Sequence, residues 1–191
     1  TNENDILARF FQTGEYSRGT VHQTISPAMD IQVASNFERF LYYYFQQDSQ
    51  RLCAFMAEFN STGKASVGEK PTQDLFRAVA INRDETLLAM SDAESKHGYI
   101  LDPHTAVGYA AIKVFTAEST APTICVATAH PAKFPDAVIE ATRITPTHPS
   151  LDALSELPSR KEHVEANVEA VKVSSLFILI PSNISPLVIP V

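Results

Sequence analysis

Tryptophan is absent from this chain, glycine is sparse, and there are two cysteines among 191 residues. Cys53 falls in a helix-like stretch and Cys125 in an apolar run. Two thiols so far apart make no disulfide framework; they suit reduced core cysteines and a cytoplasmic setting. A basic block is also missing. Lys+Arg 15 against Asp+Glu 22 gives a net charge of −7, which excludes nucleic acid or an anionic membrane surface as the expected partner, while small anions can still bind locally. There is no Walker loop, G-x-G-x-x-G, C-x-x-C, H-E-x-x-H or G-x-S-x-G run, so nucleotide, zinc and acyl-transfer chemistry have no direct support. One segment, Val173 to Val191, comes near membrane-span length, but Pro181, Asn183, Pro186 and Pro190 interrupt it, and a spanning helix is not expected. It is set apart as an apolar tail, with residues 1–172 as the body of the chain. No signal peptide opens the sequence, which starts at Thr1 inside a helix-start pattern and suggests a piece of a longer protein.

With 45% hydrophobic and 19% charged residues the chain has the composition of one globular domain. Its focus is Thr123-Ile124-Cys125-Val126-Ala127-Thr128, read as a buried parallel strand that breaks into the loop Thr128 to Lys133. The loop past the carboxyl end of such a strand is where open α/β folds place ligands. Before it, Asn2 with Asp5 predicts a helix start for Ile6, Leu7, Phe10 and Phe11, stopped by Gly14, with a strand expected upstream of Thr1. Ser26-Pro27 predicts a short helix. The stripe Phe37, Phe40, Leu41, Tyr44 and Phe45 predicts a core-facing helix, and Leu52, Phe55, Met56 and Phe59 repeat the pattern. Residues 73–80 and 83–96 read as two more helices, the second capped by Asn82 with Glu85 and closed by Gly98. Asp102-Pro103 starts a helix of small residues, Pro135 opens another, and residues 159–172 read as a charged amphipathic helix. The alternation implies a helix-rich α/β fold with few strands.

Among residues able to carry chemistry, Thr128 at the strand end offers a hydroxyl that donates and accepts, suited to a heteroaromatic ring nitrogen, although such threonines commonly bond nearby backbone. Lys133 follows in a loop of small residues, where a Schiff-base lysine or a merely solvated one would fit. His104 and His130, with Asp102 nearby, match no metal-ligand spacing, and no metal is expected. Ser26, Asp30 and Asn36 read as helix caps.

Five runs then go beyond these single residues: Thr1-Asn2-Glu3-Asn4-Asp5, Ser26-Pro27-Ala28-Met29-Asp30-Ile31, Ser35-Asn36-Phe37-Glu38-Arg39, Asp102-Pro103-His104-Thr105-Ala106-Val107-Gly108 and Thr128-Ala129-His130-Pro131-Ala132-Lys133-Phe134. In this order they resemble the threonine synthases of the bacterial and fungal long form, over residues 1 to about 140; the likeness thins towards Glu169 and is lost after Lys172. The resemblance implies part of the tryptophan-synthase-β-like fold (fold type II of pyridoxal-phosphate enzymes), a helix-rich, partial doubly wound α/β domain with an incomplete sheet. It further implies a pyridoxal 5'-phosphate-dependent lyase in which O-phosphohomoserine and water yield threonine and phosphate. In the family a threonine of the Thr-Ala-His-Pro-Ala-Lys-Phe run faces the cofactor's ring nitrogen, which carries over to Thr128; Asp102, His104 and Thr105 lie in a block expected close to the ring. The family's Ala-Phe-Lys-Asp run, holding the covalent anchor, and its Gly-Asn-Phe-Gly-Asp phosphate loop are not in this sequence. The expectation is therefore one wall of the site, without catalytic activity on its own. A non-enzymatic helical interaction module, using the aromatic faces of residues 37–59, is the alternative.

Overall fold

The computed structural model describes residues 1–71, 76–115, 122–159, 161 and 163–179. The first compact unit, Thr1–Asp152, holds two hydrophobic cores. Helix α1 (Ile6–Thr13) ends on Gly14 in the left-handed region and passes straight into strand β1 (Glu15–Ser17). After a turn of 3-10 helix at Pro27–Met29 come α2 (Phe37–Tyr44), α3 (Ser49–Thr62) and strand β2 (Lys64–Ser66). Strands β1 and β2 pair antiparallel, with Tyr16 opposite Ala65, and these two residues point inward. The first core closes over them: Phe10, Tyr16, Phe37, Leu41, Phe45, Phe55 and Phe59 are buried together. Phe10 meets Phe37 edge-on at 4.7 Å, the arrangement in which one ring's positive edge faces the other's negative face. Tyr16 keeps its hydroxyl satisfied by accepting from the Ala34 amide at 3.0 Å, and burial raises its pKa from the ordinary 10.0.

The second core lies between α4 (Arg83–His97), α5 (Pro103–Phe115) and α6 (Pro135–Thr142), around Met90, Ala93, Ala106, Val107 and Val138. Helix α4 carries the expected capping box of Asn82 and Glu85 and ends on Gly98. Asp102 starts α5 as expected, its carboxylate accepting from the His104 and Thr105 amides. A short α7 (Pro149–Asp152) ends this unit. The second unit, Ala153–Val191, contains a 3-10 turn at Ala153–Glu156 and α8 (Val168–Leu179).

This is the helix-rich α/β arrangement with a reduced sheet that the composition and resemblance implied, and several local readings are corrected. Thr123 to Thr128 is extended but belongs to no strand: Ile124 is 86% and Val126 71% exposed, because among the described residues nothing offers it a ladder partner. The two short strands that do form were missed. Residues 76–80 are irregular rather than helical, while 72–75 lie outside the described residues. The last helix begins at Val168, not near Ser159. Asn2 is not a cap; Asp5 precedes α1, and Asn2 is buried in a polar cluster. Neither Ser26 nor Asn36 makes a side-chain cap bond. Cys53 is exposed rather than in the core, and Cys125 is half-buried. The tail from residue 180 onward lies outside the described residues.

Candidate functional site

The carboxyl end of the extended segment, the 3-10 turn at Pro27–Met29 and the first turns of α5 enclose a cavity of about 470 Å³. One wall is Val126, Thr128 and Ala129; the opposite one is Ala28 and Met29; His104, Val107, Gly108 and Ala111 form the floor; Lys133 and Phe134 border it. The extended segment can lie this close to α5 because Gly108 has no side chain: a Cβ there would already touch Cys125 Sγ at 3.6 Å. The residues of the segment alternate in the way a strand's do, since Val126 and Thr128 line this cavity while Cys125 and Ala127 line another of about 360 Å³ near Tyr99 and Tyr109.

Thr128 is exposed, and among the described residues its hydroxyl has no partner; its amide donates to Thr105 Oγ1 at 3.1 Å. His104 is 9% exposed and touches Phe134, with ring centres 4.6 Å apart. Asp102 lies beneath the cavity, 2% exposed, and does not line it. Its carboxylate accepts from the His104 ring Nδ1 at 3.0 Å and from the Thr105 hydroxyl. The turn carrying Ala28 is pinned from behind. Asp30 accepts from Asn2 Nδ2 at 2.8 Å, Asn4 Nδ2 at 3.0 Å and both the amide and hydroxyl of Thr24; Ser26 Oγ accepts from Asn2 at 3.0 Å. Ser26 and Asp30 therefore serve a buried network and not helix caps. Sequence pattern alone reads Asn2 as a helix start and gives Asn4 and Thr24 no role, because Asn and Thr are equally favoured at caps; their density at residues 2–4 and 24–30 is the available signal.

Lys133 is exposed, its ammonium 5.9 Å from the Phe134 ring centre. His130 caps its own turn, Nδ1 accepting from the Ala132 amide at 3.1 Å. Cys125 has its pKa raised from 9.0, first by burial and then by the Asp102 charge, which keeps it a thiol at neutral pH. Among the described residues no group of three His, Cys, Asp or Glu could hold a metal ion, and no helix is long and apolar enough to cross a membrane. Phe37, Phe55 and Phe59 face inward, while Tyr43 of the same segment is 65% exposed.

The family described as "Threonine synthase, C-terminal" matches residues 105–174. Threonine synthase of Pseudomonas aeruginosa is 36% identical over 144 residues, covering 74% of this chain and 31% of the relative. The Saccharomyces cerevisiae threonine synthase is 40% identical over 163 residues, with the same coverages of 74% and 31%. The crystal structure of pyridoxal-phosphate-bound threonine synthase from Brucella melitensis superposes with a TM-score of 0.78 at 38% identity, over 93% of this chain and 38% of that one. This chain matches the carboxyl-terminal part of the threonine synthases. It spans about a third of the length of the curated threonine synthases it matches. Of the cavity lining, Thr128, Lys133 and Phe134 fall within the matched residues 105–174, while Ala28 and His104 precede them.

Proposed function

We propose that this chain supplies one wall of a pyridoxal 5'-phosphate site and that, in a full-length threonine synthase, this wall serves the conversion of O-phosphohomoserine and water to threonine and phosphate. The observation that carries the reading is that Thr128, whose hydroxyl has no partner among the described residues, lines the 470 Å³ cavity together with Ala28 and His104. A cavity of this size and mixed lining fits a substituted pyridine ring. Thr128 would hold the ring nitrogen through its hydroxyl, a neutral partner that donates or accepts as the ring requires. Gly108 and Ala111 leave room for a flat group to lie close to α5. Bound there, the cofactor serves as an electron sink for carbanions.

The chain's own residues orient and enclose; they do not anchor. Among the lining residues Lys133 is the cationic one, and no glycine-rich phosphate loop accompanies it. The expected result is that the chain mixed with pyridoxal phosphate develops no absorbance band of lysine-bound cofactor and releases no phosphate from O-phosphohomoserine. Both appearing would make Lys133 the anchor and overturn the division of roles. Amide spectra recorded during titration with pyridoxine test the wall itself. Shifts centred on Thr128 and Ala28 are expected, and a titration that leaves both unmoved refutes the reading.

A further inference from the structure

Asp102 is completely enclosed, yet both sides of the cavity lead back to it. On one side His104 Nδ1 meets the Asp102 carboxylate at 3.0 Å while Nε2 of the same ring lies 3.1 Å from the Ala28 amide nitrogen. A backbone amide can only donate, so Nε2 is the accepting nitrogen and the proton resides on Nδ1, which donates to Asp102. On the other side the Thr105 hydroxyl donates to Asp102 and its oxygen accepts the Thr128 amide at 3.1 Å. A hydroxyl has a single proton, so this bond too has a fixed direction. Two different side chains thus do the same thing. Each gives its proton to one carboxylate and takes a backbone N–H from one cavity wall.

We propose that Asp102 is the positioning residue that sets the separation of the two cavity walls, acting through His104 on the Ala28 turn and through Thr105 on Thr128, and that His104 is a spacer in the Nδ1–H form and not a proton-transfer group. The inference takes its ligand from the reading above but concerns the width of the cavity, which exists without any ligand. It also accounts for a buried carboxylate that touches nothing in the cavity: four donors, the His104 and Thr105 amides, the His104 ring and the Thr105 hydroxyl, converge on it. A carboxylate accepts all four, whereas an amide in its place would present one donor to a donor.

The wild-type chain with 15N-labelled histidine provides the first test. At neutral pH His104 is expected to show a protonated Nδ1 and a bare Nε2 coupled to the Ala28 amide; a protonated Nε2 overturns the proposal. Hydrogen exchange at two amides provides the second. His104→Gln retains an acceptor near the Nε2 position and should keep Ala28 protected, while His104→Asn retains only the donor to Asp102 and should speed Ala28 exchange about fivefold. Asp102→Asn should speed exchange at both Ala28 and Thr128; unchanged protection at the two sites, or a loss at Ala28 in the Gln variant equal to that in the Asn variant, overturns the proposal. The histidine spectrum needs no variant to fold. A pyridoxine titration without effect, beside the expected tautomer and exchange pattern, would reject the ligand and leave Asp102 in its role.

Discussion

Removing the same hydroxyl at two neighbouring threonines should give opposite results. Thr105 is 4% exposed, and its oxygen is bonded on both sides, to the Asp102 carboxylate and to the Thr128 amide. Replacing it with Val keeps the volume and removes both bonds. A hydrogen bond to a charged acceptor contributes about 1.5–3 kcal/mol, and stranding a donor costs about 1–3 kcal/mol when it stays buried. The Thr128 amide is only partly buried and recovers some hydration, and the new methyl is favourable in an apolar setting, so the net loss for Thr105→Val should be about 2–3 kcal/mol. Thr128→Val deletes a hydroxyl that is exposed and unpartnered among the described residues, so stability should change by less than about 0.5 kcal/mol. Urea unfolding followed by circular dichroism measures both: the midpoint should fall in the first variant at unchanged slope and stay in place in the second. Pyridoxine binding should be impaired in Thr128→Val although its stability is unchanged. A Thr105→Val midpoint equal to wild type, or a Thr128→Val midpoint as low as that expected for Thr105→Val, would refute the partition of the two threonines into support and contact.

Gly14→Ala should be more damaging than either. Its φ of +79° costs a side-chain-bearing residue about 1–2 kcal/mol, and the new Cβ would stand 2.0 Å from the Glu69 carbonyl oxygen, so the backbone at Glu69 must shift away; thermal unfolding should show the largest drop in midpoint of these variants. Asn82→Ala removes half of the α4 capping box and should cost about 1 kcal/mol, read as a lower urea midpoint. Brief alkylation at pH 7 followed by mass spectrometry should modify exposed Cys53 well before Cys125, which is half-buried and held in its thiol form. Because the folded-state pKa of Cys125 is raised above 9.0, its contribution to stability is present below pH 9 and is lost as pH rises through the folded value. Cys125→Ser should accordingly flatten the alkaline limb of a stability profile.

Local rules account for what could be read along the chain. The Asn82–Glu85 box, the Asp102 start and the stops at Gly14 and Gly98 depend on groups three or four residues apart, and all of them form. The stripes of residues 37–59 point inward for the same reason. Strands β1 and β2 were not legible, because three residues cannot establish a period of two and the partner lies about fifty residues away. Thr123 to Thr128 failed in the opposite direction. Its composition is that of a buried strand, but a strand exists only against a ladder partner, which is not among the described residues.

The site divides along the same line. Thr128 and His104 could be picked out by residue type and by resemblance, and they do border one cavity. The network of Asn2, Asn4, Thr24 and Asp30, and the two bridges from Asp102 to Ala28 and Thr128, could not. From the sequence alone came the Gly14 stop of α1, both ends of α4, the start of α5, the aromatic core, the acidic balance and the family, since each depends on nearest neighbours, composition or ordered runs. The tertiary structure alone decided which hydroxyl is bonded on both sides and which has no partner among the described residues, and which nitrogen of His104 faces the Ala28 amide. Those properties depend on which donors and acceptors meet across gaps of 23 and 76 residues, and no local pattern encodes such a meeting.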